Sequence, residues 1–118
     1  MLTHEDFTLR ESDRLCTATF QRSIDMERMM TLKPELEARA EQINKPLIVD
    51  MTAVDFLDSA AVGILAILFR QTQKQGLGIA FAGAQPQAEA VLAMVGLSDL
   101  VPLFENRVLA EAYLLKKS

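Results

Sequence analysis

Polar and apolar positions alternate in short beats at the start of the chain and in longer ones after it. "DFTLRES" and "RLCTATF" read as two short strands around Ser12-Asp13, a hairpin turn. In the second, Cys16, Ala18 and Phe20 share one strand face, which makes Cys16 a core residue. "QRSIDMERMM" fits neither period. Its methionines suit a surface patch or a core gap, and the core is the favoured place. "TLKPELEARAEQI" predicts a helix: Pro34 suits a first-turn position and Glu35 and Glu37 suit the positive end of the dipole. Leu36, Ala40 and Ile43 form its apolar stripe, and Asn44 ends it.

"PLIVDM" is short, continuously apolar and β-branched, as a central parallel strand covered on both faces should be. Asp55 to Asp58 read as a loop, followed by a helix from about Ser59 to Gln75. Its first half, Ala60 to Phe69, is apolar all round and should be buried. Its second half, "RQTQKQ", is polar, and Gly76 is a natural stop. "LGIAFAG" is another buried strand. "PQAEAVLAMVG" is a helix with Pro86 near its start, Ala88, Val91, Leu92 and Val95 on one face, and Gly96 past its end. "VPLF" is a short last strand. "RVLAEAYLL" is a closing helix, with Leu109, Ala112 and Tyr113 spaced to dock.

The order ββαβαβαβα predicts an α/β sheet of about five strands, mostly parallel in the core, with about four helices and right-handed crossovers. One arrangement open to it gathers every helix on one face and leaves the other to the N-terminal hairpin or to solvent. The length of 118 residues suits one domain over 1–118, with a core at about 7–115. Half of the chain is hydrophobic, unlike a disordered sequence.

Net charge is −4 and no basic stripe exists, so nucleic acid is not an expected partner. Lys116-Lys117 is the only basic doublet, at an end expected to fray. One cysteine cannot form an internal disulfide, and His4, expected to be solvated, is the only histidine available to a zinc site. The N-terminus lacks a signal-peptide pattern, and no apolar run approaches the ~20 residues of a membrane span. A cytoplasmic protein without membrane insertion is expected.

Enzyme motifs are missing. There is no P-loop and no GxSxG elbow, and "GLG" precedes a strand instead of following one. One histidine makes a Ser-His-Asp triad implausible. Asp50, Asp55 and Asp58 could hold magnesium, but acidic loop ends are common in inert domains. No catalytic residue, metal or cofactor is assigned. The segment "DFLDSAAVGIL" remains. Ser59 directly precedes the helix, where a cap stabilises by about 1 kcal/mol. Asp58 adds favourable charge. Functionally, such a helix start also tolerates a phosphoryl group well.

"LIVDMTAVDFLDSAAVGILAIL" resembles the central motif of the STAS domain, the fold of bacterial anti-sigma factor antagonists: an apolar strand ending in Asp, a short link, then Asp-Ser-Ser-Gly opening a helix. "VLAMVGLSDLVPLFENRVLAEAYL" looks like the family's closing segment. The resemblance runs from about Phe7 onward. It implies a STAS-type fold and a regulatory, non-enzymatic protein whose partner is a kinase-like anti-sigma factor. In such members the partner phosphorylates one residue of the motif and the phosphorylated antagonist lets go. About −1.5 to −2 units of charge added beside Asp55 and Asp58 would repel a partner fitted to the neutral loop.

The sequence departs from the family at that residue. Asp58 and Ser59 match the motif's Asp and first Ser; the usual phosphoacceptor falls on Ala60 and the Gly on Ala61. Either Ser59 is the acceptor, one position early, or the protein is never phosphorylated and stays binding-competent. A third reading makes it a subunit of another assembly, such as an accessory partner of an ATP-binding-cassette lipid transporter. The partner-binding residues expected from the motif are Asp55, Asp58, Ser59, Ala60 and Ala61, joined by the Met26–Met30 region. A homodimer stays open.

Overall fold

The computed structural model describes residues 2–3 and 7–117; His4 lies outside them. The two opening beats form an antiparallel pair, β2 (Phe7–Glu11) and β3 (Cys16–Ile24). Ser12 closes their turn, its N–H donating to the Leu15 carbonyl at 2.8 Å and its hydroxyl accepting from the Leu15 N–H at 3.2 Å. Phe7 and Phe20 are cross-strand partners with ring centroids 6.0 Å apart, which helps pin the register. A two-residue strand, β1 (Leu2–Thr3), pairs with β2 at the edge and adds to the five expected strands.

Next come α1 (Met26–Ala40), β4 (Leu47–Leu57), a 3₁₀ turn (Ser59–Ala61), α2 (Val62–Lys74), β5 (Ile79–Ala82), α3 (Pro86–Met94), β6 (Leu103–Phe104) and α4 (Arg107–Lys117). The strands lie across the sheet in chain order, and β3 to β6 are parallel. In such an order every right-handed crossover puts its helix on the same face. Accordingly α1, α2 and α3 share one core with Cys16, Ala18, Phe20, Leu47 and Val49. The closing helix makes no crossover. It folds onto the opposite face, where Ala110 and Leu114 pack on Leu15, Ile48, Ala80 and Ala82. The arrangement with all helices on one face therefore does not occur.

Four local expectations are corrected. Asp25 accepts from the Arg28 N–H at 2.9 Å and starts α1 at Met26, so Pro34 lies inside the helix instead of in its first turn. Pro34 is exposed, and its ring nitrogen cannot donate to the Met30 carbonyl one turn back. Met26 and Met30 are 47% and 72% exposed rather than core; of the methionines here Met29 alone packs against the interior. α2 is one-sided, with Ile64, Leu65 and Leu68 buried, Ile67 and Phe69 half-buried and Gly63 exposed. α4 docks through Ala110, Tyr113 and Leu114, while Leu109 and Ala112 face outward. The stop at Gly76, with φ +67°, is where the sequence puts it. Among the described residues no helix is long and apolar enough to cross a membrane.

Candidate functional site

Strand β4 changes character half-way. From Leu47 to Asp50 it is paired with β3 on one side and β5 on the other. Leu47, Val49 and Met51 face α1–α3 while Ile48 faces α4. Past Asp50 the pairing with β5 stops, and two irregularities each insert an extra residue into β4. Thr19 pairs with Asp50 but Gln21 with Ala53; Arg22 pairs with Val54 but Ser23 with Phe56. Buried positions then fall at Met51, Val54 and Leu57, every third residue, as bulges dictate. This spacing is why Asp55 to Asp58 read as a loop. Asp55 and Phe56 are strand residues, and only Asp58 lies beyond it.

Side chains fill in for the missing ladder. On α3, Gln87 accepts from the Leu57 N–H at 2.8 Å and donates to the Leu57 carbonyl at 2.9 Å. Gln85 donates to the Thr52 carbonyl at 3.0 Å. The Asp50 carboxylate accepts from the Thr52 N–H at 3.0 Å and from its hydroxyl at 2.7 Å, which holds the first bulge. Beside the second, Arg22 has φ +60°, rare for a residue with a Cβ. Sequence reasoning passed over both glutamines. Their signal was "QPQ", two amides flanking the proline that opens α3.

The helix start is built on Asp58. Its N–H donates to the Ile24 carbonyl at 2.9 Å and ties the ends of β3 and β4 together. Its carboxylate accepts from the Ala60 N–H at 2.9 Å, and its carbonyl from the Ala61 N–H at 2.9 Å. Asp58 is therefore the cap, and Ser59, expected in that role, is the first residue of the 3₁₀ turn. Ser59 is exposed, and its hydroxyl makes no hydrogen bond among the described residues. Ala60 beside it is exposed as well. Ala61, expected as a partner contact, is instead fully buried in the core. Asp55 is exposed and accepts from the Ser23 hydroxyl at 3.2 Å.

The elements beside this polar turn carry exposed apolar groups. Phe56 is 44% exposed, and α1, which carries Met26 and Met30, packs beside the 3₁₀ turn. The three aspartates considered for magnesium are each engaged with a different partner: Thr52, Ser23 and the Ala60 N–H. No group of His, Cys, Asp or Glu that could hold a metal occurs among the described residues. Cys16 is a buried core residue far from this chemistry. Burial, with Glu11 adding to it and Lys45 opposing, pushes its thiol up to about 11, so it stays protonated at neutral pH.

Ligand crevices in open α/β sheets form where the strand order reverses. Here the order of the parallel strands never reverses. The end of β4 and the start of α2 thus form a surface and not a cleft, with exposed apolar side chains on the elements beside a polar turn.

The STAS domain family model matches residues 6–110. The chain belongs to the STAS domain family. No curated protein sequence matches it. Among solved structures, this STAS domain resembles an anti-sigma factor antagonist from Mycobacterium paratuberculosis, with 23% identity, 96% of this chain and 98% of that one covered, and a TM-score of 0.75. It also resembles the anti-sigma factor antagonist SpoIIAA in its unphosphorylated form, at 16% identity, 91% and 92% coverage and a TM-score of 0.70. A sulfate transporter family protein from Wolinella succinogenes shares the fold too, at 19% identity, 88% coverage of both chains and a TM-score of 0.69. At these identities the likeness carries the fold alone. The STAS match spans β4, the 3₁₀ turn and α2, the elements that carry the segment on which the sequence resemblance rests.

Proposed function

We propose that this STAS domain is a protein-binding regulator in the cytoplasm, an anti-sigma factor antagonist that docks on a kinase-like anti-sigma factor. Contact is made by Asp55, Asp58, Ser59 and Ala60, with Ala61 supporting them from beneath. It catalyses nothing and needs no cofactor. One observation carries the reading: the position usually phosphorylated, Ala60, lies exposed beside a cap, and the neighbouring elements carry exposed apolar groups, Phe56 on β4 and Met26 and Met30 on α1. Such a mixed surface suits a protein partner. Ala60 offers no hydroxyl, so phosphorylation at the usual place cannot switch binding off. Ser59, one position early, is the candidate acceptor that remains.

The test begins with tagged protein and a native lysate. Recovery of a kinase-like ATPase, with Ala60→Asp weakening the complex at least about tenfold and Ser59→Ala leaving it intact, supports the proposal. A phosphate appearing on Ser59 when the purified partner and ATP are added would replace insensitivity with an early-register switch. Recovery of a transporter ATPase would favour the accessory-subunit reading, and binding unaffected by Ala60→Asp would remove this turn from the interface.

A further inference from the structure

The sheet face opposite α1–α3 is only partly covered. α4 packs on Ile48, Ala80 and Ala82, and leaves the outward residues of β2 and β3 open. There the pairing brings polar side chains into rows. Thr8 lies across from Thr19 and Thr19 from Asp50; Arg10 lies across from Thr17. With Gln21 and with Arg107, the first residue of α4, they line one cavity of about 330 Å³.

A polar outward face on an antiparallel pair needs no ligand to explain it. The two arginines are its distinctive feature. Arg107 stands at the positive end of the α4 dipole, where a cation is unfavourable. Neither Arg10 nor Arg107 forms an ion pair among the described residues. The neighbouring Glu11 is taken by Lys45 at 2.7 Å, and Asp50 is held by Thr52. The Thr8, Thr17 and Thr19 hydroxyls make no hydrogen bond among the described residues either. The cavity thus gathers two unpaired guanidinium groups and three free hydroxyls, with one carboxylate and one amide at the same wall. No aromatic ring lines it, so nothing there would stack a base.

We infer that this groove is a binding site for a small phosphorylated polyol. Arg10 and Arg107 take the phosphate, which guanidinium groups match in geometry as well as charge. The threonines, Gln21 and the second carboxylate oxygen of Asp50, Oδ2, take the hydroxyls. Asp50 also makes the site selective, because an ester held by the arginines can set sugar hydroxyls against its carboxylate at a distance from the phosphate, whereas a small phosphate ion has no hydroxyls spaced that way and brings its charge against it.

The test uses the full chain with amide-resolved NMR and glucose 6-phosphate as the probe, beside glucose and inorganic phosphate. Saturable shifts at Thr8, Thr17, Thr19 and Gln21 are expected, with Arg10→Gln and Arg107→Gln each weakening binding about tenfold. Glucose should give no saturation, and inorganic phosphate should bind at least about tenfold more weakly than the ester. Both arginines are exposed, so their substitution leaves the fold intact. Absence of saturable shifts up to about 10 mM, or shifts indifferent to both substitutions, overturns the site. Equal affinity for inorganic phosphate overturns the assignment to a polyol ester. These outcomes do not depend on docking at the far end of β4.

Discussion

The two halves of β4 are one strand built on two principles. Leu47 to Asp50 has a hydrogen-bonded neighbour on each side and helices on both faces, and three of its four side chains are fully buried. Met51 to Leu57 has one strand neighbour, two bulges, and amide side chains where the other neighbour would be. Regular pairing between helices on both faces leaves few positions that can aim a side chain at solvent. The irregular half regains such positions, and with them presents Asp55 and Phe56 at the surface while Val54 and Leu57 stay inside. The fold is anchored in the first half and the candidate site is shaped by the second.

The largest contrast should appear on truncation. Leu47→Ala removes a side chain that is 0% exposed and should cost about 2–5 kcal/mol in urea unfolding. Phe56→Ala, at 44% exposure, should cost less than about 1 kcal/mol and show its effect in partner binding instead. Equal costs would mean that the second half is core like the first, and that the surface reading of Phe56 is wrong.

Gly83 is the next place to press. It follows β5 with φ +72°, and a Cβ there would lie 2.2 Å from the Thr52 hydroxyl oxygen and 3.2 Å from the Thr52 Cα. Only glycine allows the backbone to approach the first bulge this closely. Gly83→Ala should destabilise by about 1–3 kcal/mol. Adding Thr52→Ala should recover part of that loss, a non-additivity expected of touching residues. Strict additivity would show that the bulge does not press on Gly83.

The same contrast decided what could be read from sequence. Leu47 to Val49 was legible because a strand buried on both faces is apolar without a break, and Gly76 and Pro86 punctuate helices by fixed backbone chemistry. Met51, Val54 and Leu57 were not, because bulges replace a period of two with a spacing of three that matches no regular strand. The α1 start was hidden for a related reason: β3 runs on to Ile24, and the cap Asp25 follows without a turn signal. At the candidate site Asp58, Ser59 and Ala60 could be named, since the motif marks them, and Asp55 as an acidic neighbour just before it. Phe56 was missed as a loop residue, and Ala61 was misplaced because a 3₁₀ turn rotates it inward. Gln87 was beyond reach, its partner lying 30 residues earlier in the chain.

Gln87→Ala tests whether an amide truly substitutes for a strand. It would leave the part-buried Leu57 N–H and carbonyl unpaired, at about 1–2 kcal/mol. Amide hydrogen exchange is the sharper readout. Exchange at Leu57 should speed up while Leu47, bonded to the Gly78 carbonyl, keeps its protection. Unchanged exchange at Leu57 would show that its order comes from β3 alone.

The smallest effect separates two adjacent residues. Asp58 accepts from the Ala60 N–H; the Ser59 hydroxyl accepts from nothing among the described residues. Asp58→Ala should therefore cost about 0.5–2 kcal/mol, and Ser59→Ala should stay within about 0.5 kcal/mol of the parent. The sequence alone assigned the larger cost to Ser59. A melting temperature that falls for Ser59→Ala and holds for Asp58→Ala would return the cap to the serine, and would occupy the hydroxyl that a kinase needs free. With the cap on Asp58, Ser59 carries no structural duty. Substitutions there then report on the partner, unconfounded by the stability of the helix behind it.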